Sequence, residues 1–117
     1  MCVYCLVLDK PLTWVGSSLE AVRRFPAEAR RAAGYELRRV QQGLMPSDWK
    51  PMRTVGPEVM EIRVHTTLEH RVFYVAKFEE AVYVLHAFEK RTRQTAHADI
   101  ELASNRLAAV LQARRDR

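Results

Sequence analysis

Three hydrophobic runs stand close together in the second half of the chain: Val59 to His65, Arg71 to Phe78 and Ala81 to Phe88. In the first, Met60, Ile62 and Val64 fall on one side of a period-two pattern and Glu61, Arg63 and His65 on the other. That is the pattern of a strand with one face in a core and the other open to chemistry. The segments between the runs, "TTLEH" and "EE", are short enough to predict antiparallel meander turns. Elsewhere the period changes to that of a helix. In "SSLEAVRRFP", Ser17 and Glu20 have capping-box spacing, which predicts a short helix ending near Phe25 and Pro26. From Pro26 to Gln42, Ala29, Ala33, Leu37, Val40 and Leu44 recur every three or four residues, with Pro26 in the first turn and Gly43 placed as terminator. A last helix is expected over Ala96–Ala113. Thr95 would cap it, Ile100, Ala103, Leu107, Val110 and Leu111 would form its inner stripe, and Asp99, Glu101, Arg114 and Arg115 would oppose its dipole.

Two stretches are less regular. "KPLTWVG" (Lys10 to Gly16) contains the strand formers Thr13, Trp14 and Val15 behind Pro11, which suits an edge strand. "LMPSDWKPMRTVGPE" (Leu44 to Glu58) holds Pro46, Pro51, Pro57 and Gly56 and reads as a loop. The expected order is therefore β, α, α, β, β, β, α. This is an α+β class in which two N-terminal helices and a C-terminal helix buttress a small, mainly antiparallel sheet.

Composition narrows the picture. At 117 residues and 48% apolar content the chain suits one domain with a single core. A net charge of +5 draws it toward polyanions, nucleic acid or an acidic protein. The N-terminal "MCVYCLVLD" loses its apolar character at Asp9, before it could span a bilayer, so a cytoplasmic protein without a membrane partner is expected. Cys2 and Cys5 form a C-x-x-C with no second pair to complete a zinc site and are read as two reduced thiols. No metal and no cofactor are expected. Arg30, Arg31, Arg38 and Arg39 lie off the apolar stripe of the second helix. They read as a solvated face, with an RNA- or partner-facing stripe as the alternative.

The stretch "YVLHAFEKRTRQT" runs the most hydrophobic strand into Lys90, Arg91, Thr92 and Arg93. If the register permits, a meander brings Arg63, Arg71, Lys90 and Arg91 onto one concave, strongly positive surface. Such a surface suits a phosphodiester and the extra charge of its pentacoordinate transition state; ordinary polar-face residues of a one-sided sheet are the plainer alternative. The chain has no G-x-S-x-G, Walker glycine loop, H-E-x-x-H or dense acidic cluster, which leaves metal-free phosphoryl chemistry. Among the histidines, His86 reads as a packed, hydrogen-bonded residue and His70 as a turn residue. His65 is placed to face the site, and His97 could exchange protons if it faces the sheet.

"KPMRTVGPEVMEIRV", "HRVFYVAKFEEAVYVLHAFEKRTRQT" and "DIELASNRLA", following "WVGSS…FP…GYELRRVQQG", resemble the phage-related HigB-like branch of the RelE/ParE toxin superfamily. The likeness runs from about Lys10 to Leu111 and is most specific at "YVLHAFEK" and the basic segment after it. The resemblance implies a RelE-like, microbial-RNase-like fold over residues 10–117, with residues 1–9 as an extension beyond the family's usual start. It implies the toxin of a type II toxin–antitoxin module that cleaves mRNA on the ribosome by attack of the 2′-hydroxyl, without metal. By position, Arg71 matches the transition-state arginine, Arg63 a basic residue that orients the substrate, Arg91 a phosphate-binding arginine, and Lys90 the branch's recurrent lysine. Glu61 stands where ribosome-dependent members carry lysine, and His97 roughly where they carry tyrosine or histidine. The general base and acid therefore stay open among Glu61, His65 and His97. Lys50, Arg53, His65, Thr92 and Arg93 are the expected RNA contacts around them.

The implied partners are a helix-turn-helix antitoxin, in a toxin–antitoxin hetero-oligomer, together with mRNA and ribosomal RNA. Two other functions suit the same fold: a ParE-like inhibitor of gyrase without nuclease activity, and a degenerate toxin that serves only as the antitoxin's corepressor.

Overall fold

The computed structural model describes residues 9–117. The Cys2–Cys5 motif and all but the last residue of the expected N-terminal extension lie outside the described residues. The elements are β1 (Leu12–Trp14), α1 (Ser18–Arg23), α2 (Ala27–Gln41), β2 (Trp49–Pro51), β3 (Val59–His65), β4 (Glu69–Val75), β5 (Val82–Glu89) and α3 (His97–Arg115). The five strands form one sheet in the order β1-β5-β4-β3-β2, with β1 parallel to β5 and every other pairing antiparallel. The α+β class and the meander of β3, β4 and β5 are as the hydrophobic pattern predicts.

The sheet divides the apolar residues into two cores, where the length of the chain had suggested one. On one face, Ile62, Val64, Val72, Tyr74, Val82, Val84 and Ala87 pack with Val22 and Phe25 and with the α2 stripe Ala29, Ala33, Leu37 and Val40. On the other, Val59, Phe73, Val75, Tyr83 and Leu85 meet Ala103, Leu107 and Val110 of α3. Burying apolar area at about 25 cal/mol per Å² makes these two layers the main source of stability. No described helix is long and apolar enough to cross a membrane.

Several local expectations are corrected. Leu44–Glu58 is not all loop, since Trp49–Pro51 forms the edge strand β2 on β3. A proline is tolerated there because the outer side of an edge strand needs no ladder donor. Leu44 does not extend the α2 stripe and is 49% exposed, beyond the Gly43 terminator at φ +84°. Ser17 occupies the N-cap of α1 but makes no side-chain cap bond; its hydroxyl accepts from Arg106 instead. Ala96, not Thr95, is the N-cap of α3. His70 is not a turn residue: it is buried in β4, with its ring 4.3 Å from that of Phe25, and burial pushes its pKa down.

Candidate active site

Pairing registers show which residues stand side by side on the α3 side of the sheet. One row runs Lys50–Glu61–Phe73–His86 across β2, β3, β4 and β5, and the next runs Arg63–Arg71–Phe88 across β3, β4 and β5. Directly paired residues project to the same side of a sheet, so both rows face one way. The second row sets two guanidinium groups opposite each other, an arrangement that repels unless carboxylates intervene. Two do. Glu61 Oε1 accepts from Arg63 Nε at 3.3 Å and lies 3.9 Å from Arg71 Nε. Glu69 Oε1 accepts from Arg71 Nη1 at 2.9 Å, and the same nitrogen donates to the His70 carbonyl at 3.0 Å.

Burial separates the roles of these groups. The Arg71 side chain is only 7% exposed and that of Arg63 31%. Glu61 is buried; its Oε2 and Arg71 Nε have no hydrogen-bond partner among the described residues. Unpaired buried polar atoms cost free energy, and the mutual attraction of a carboxylate and two guanidinium groups is what offsets that cost here. Lys90 follows the end of β5 and is fastened by its N–H to the Glu69 carbonyl at 2.7 Å. Its pKa is lowered, first by burial and then by Arg71, with Lys50 and Arg63 adding to the effect and Glu61 opposing it. The ammonium group therefore lies in the field of the cations of β2, β3 and β4.

His65 closes the outer side of this network. Its Nε2 is 2.5 Å from Asp48 Oδ2 and its Nδ1 2.8 Å from Glu69 Oε1. The Asp48 bond, followed by the Glu69 bond, raises the His65 pKa above 6.5. Glu69 is lowered in turn, by His65 first and then by Arg71. Asp48, His65, Glu69, Arg71, Glu61 and Arg63 thus form a chain of alternating charge. The cations expected to make this surface strongly positive are interleaved with carboxylates.

A β-bulge completes the face. Phe73 pairs with His86, but Tyr74 pairs with Val84, so Leu85 is the extra residue in β5. Strict alternation from Tyr83 would turn His86 and Phe88 toward α1 and α2. The extra residue returns both to the site side and sends Ala87 into the other core, the kind of redirection bulges provide. His86 then stacks on Phe88 at 5.1 Å, and its Nε2 lies 2.7 Å from Asp99 Oδ1, as a packed, hydrogen-bonded histidine should.

The remaining sequence candidates lie around this centre. Arg91 is at the rim with its side chain 79% exposed and donates to Glu89 at 3.3 Å. Thr92 is exposed and donates to the Gln94 carbonyl at 2.5 Å. Arg93 is exposed, and Lys50 and Arg53 line a shallow groove beside β2. His97 is the exposed first residue of α3, and its ring makes no hydrogen bond among the described residues; Asp99, not His97, reaches back to the sheet. Sequence reasoning missed Asp48, Glu69 and the bulge. Only Glu69 left a signal, as a carboxylate two residues before Arg71 and hence on the same face of a strand.

The chain matches the model of the family described as Phage derived protein Gp49-like (DUF891) over residues 20–108, a span that includes every residue of the two site rows. The chain belongs to the Gp49-like family. This is a family of RelE/ParE-like toxins, and the architecture of this Gp49-like chain is consistent with the RelE-like fold. Membership associates it with the toxins of toxin–antitoxin modules, and with an antitoxin partner in general. No curated protein matches the chain.

Proposed function

We propose that this Gp49-like chain is the toxin of a type II toxin–antitoxin module of the HigB-like branch, and an endoribonuclease that cuts mRNA on translating ribosomes. The observation that carries the reading is the Arg63–Arg71 cross-strand pair, held by Glu61 and Glu69 on the α3 side of the sheet beside Lys90. Guanidinium forks fixed in advance around one point suit a phosphate whose charge grows in the transition state.

In this scheme the 2′-oxygen attacks the adjacent phosphorus, the P–O5′ bond breaks, and a 2′,3′-cyclic phosphate and a 5′-hydroxyl result. Arg63 and Arg71 stabilise the equatorial oxygens, with Arg91 contributing from the rim. Lys90 holds its proton less tightly than an ordinary lysine and supplies one to the departing 5′-oxygen. His65, exposed on the same face, accepts the 2′-hydroxyl proton in its neutral form. Glu61 is sealed beneath the arginines and acts by positioning them. Lys50, Arg53, Thr92 and Arg93 extend the contact to the RNA backbone, and His97 is the remaining proton-transfer candidate at its edge. A helix-turn-helix antitoxin with acidic segments would complement the basic chain and cover this face in a hetero-oligomer.

One observation favours a second reading, a non-catalytic toxin that survives as the antitoxin's partner: the Arg71 guanidinium is nearly buried and already paired with Glu69. Primer extension on a defined message in a reconstituted translation system separates the two, with wild type, Arg71→Ala, Arg71→Lys and a ribosome-free control. Cuts that need ribosomes and Arg71 support the nuclease, with Arg71→Lys retaining the charge but losing the fork and about a hundredfold in rate. No cutting by wild type under either condition removes the catalytic assignment, and trapped gyrase–DNA complexes would point to the gyrase reading.

A further inference from the structure

A cleft of about 200 Å³ opens beside the cationic rows, between the end of β5 and the start of α3, with Phe88, Glu89, Lys90, Arg91, Thr92 and Asp99 in its wall; Glu89 is held to Arg91 at the rim, which leaves Asp99 as the carboxylate beside the Phe88 ring. It is smaller than the roughly 300–1,000 Å³ of sites that enclose a drug-sized ligand, so it has room for a fragment such as one planar ring. Three features give it a chemical character. Phe88 is directly paired with Arg71, which puts an aromatic ring next to that arginine on the same face. Its ring already stacks on His86 at an interplanar angle of 22°, and its edge-on contact with Phe73 at 5.2 Å fixes its plane. Asp99 supplies a carboxylate whose Oδ1 is held by His86 Nε2, which fixes its orientation, while its side chain stays 27% exposed to the cleft.

We infer that this cleft is a base-specificity subsite, in which Phe88 stacks the nucleobase next to the scissile phosphate and Asp99 selects bases that carry an exocyclic amine. The inference rests on the reading that this surface takes RNA. An ionised carboxylate can only accept hydrogen bonds. Cytosine and adenine offer it an amino group, and guanine an amino group beside a ring N–H. Uracil offers one N–H flanked by two carbonyl oxygens, which the carboxylate repels. Lys90 and Arg91 at the same rim hold the phosphate of the same nucleotide. Phe88 and Asp99 are thus the specificity residues, and His86 is a positioning residue that acts through Asp99.

The test needs neither cleavage nor ribosomes. The full-length protein, labelled for NMR, is titrated with the 3′-monophosphates of adenosine, cytidine, guanosine and uridine. The expected result is that the three amine-bearing nucleotides bind at least about threefold tighter than 3′-UMP and shift the Phe88 ring resonances. Asp99→Asn should abolish that preference while retaining binding through the phosphate. Phe88→Leu should weaken all four by about fivefold or more, and Phe88→Tyr should restore binding, since stacking on an aromatic face is indifferent to the identity of the base. Equal affinity for all four nucleotides on the wild type, or shifts confined to Lys90 and Arg91, overturns the inference. The wild-type series stands even if a variant fails to fold. Base preference in a protein that never cuts RNA leaves the subsite intact and removes only the nuclease; cutting with no preference does the reverse.

Discussion

At the scale of single residues, the site depends on a bulge that the sequence does not announce. "YVLHAF" reads as an uninterrupted strand, and no glycine marks Leu85 as the extra residue, because its backbone irregularity is stabilised from outside the strand. Arg106 of α3 donates through Nη1 to the Leu85 carbonyl at 2.9 Å and through Nη2 to the Ser17 hydroxyl at 2.9 Å. Ser18 donates to the neighbouring Val84 carbonyl at 3.0 Å. Arg106 fits because Gly16, at φ +58°, carries no Cβ; one placed there would stand 2.7 Å from Arg106 Nε. Removing the guanidinium leaves a bulge carbonyl without its charged donor. Arg106→Ala is therefore expected to cost about 1–3 kcal/mol, the usual penalty for a buried acceptor left without its donor, in denaturant unfolding. It should also lower any Arg71-dependent activity, by loosening His86 and Phe88. An unfolding midpoint equal to that of the wild type would show that the bulge is held by packing alone. Arg63 and Glu61 were legible as site-facing residues from period two. That Glu61 would be sealed under two arginines was not, because it depends on the cross-strand register.

At the scale of elements, β3 and β4 carry two histidines with opposite proton affinities. His65 holds its proton more tightly in the fold than the usual 6.5, between Asp48 before β2 and Glu69 on β4, with Arg71 beyond. Its contribution to stability is complete below pH 6.5 and is lost as pH rises through the raised value. His70 is buried against Phe25 and holds its proton less tightly. Its contribution is present above pH 6.5 and is lost as pH falls through the lowered value. Thermal midpoints measured from pH 5 to 9 should therefore peak near neutrality. His65→Asn should flatten the alkaline side. His70→Leu, which also removes a buried Nδ1 that has no partner among the described residues, should flatten the first descent on the acid side. Activity has the opposite sign on the alkaline limb. If His65 accepts the 2′-hydroxyl proton, cleavage rises through the same raised value at which Asp48 releases the ring. A rate independent of pH between 6 and 9 would exclude His65 as the base. β2 escaped the sequence reading because three residues, one of them proline, carry no period; it is recognisable only by its partner β3.

At the scale of the whole molecule, cations stand on both layers of this chain of net charge +5. Arg30, Arg31 and Arg38 are exposed on α2, which packs against one face of the sheet. Lys50, Arg63, Arg71 and Lys90 belong to the other, beside α3. The basic stripe of α2 was legible from helical periodicity, but its orientation relative to the site was not, because the layer a helix covers is decided by the chain's path over the sheet. Arg38 is paired with Asp9, and Arg39 lies 3.9 Å from Glu36 and donates to the Met45 carbonyl, so part of the stripe is already neutralised within the chain. A short single strand seated on the site face therefore has no path to α2. Affinity for a non-cleavable oligonucleotide just long enough to cover the site, measured against salt, tests this directly. Each phosphate contact adds about 0.7 to the slope of log affinity against log salt for single strands. Lys50→Gln and Lys90→Gln should each lower the slope by about that amount, whereas Arg30→Gln combined with Arg31→Gln should leave it unchanged. If the α2 pair lowers the slope as well, RNA wraps around the edge of the sheet, and both layers of the molecule belong to the interface.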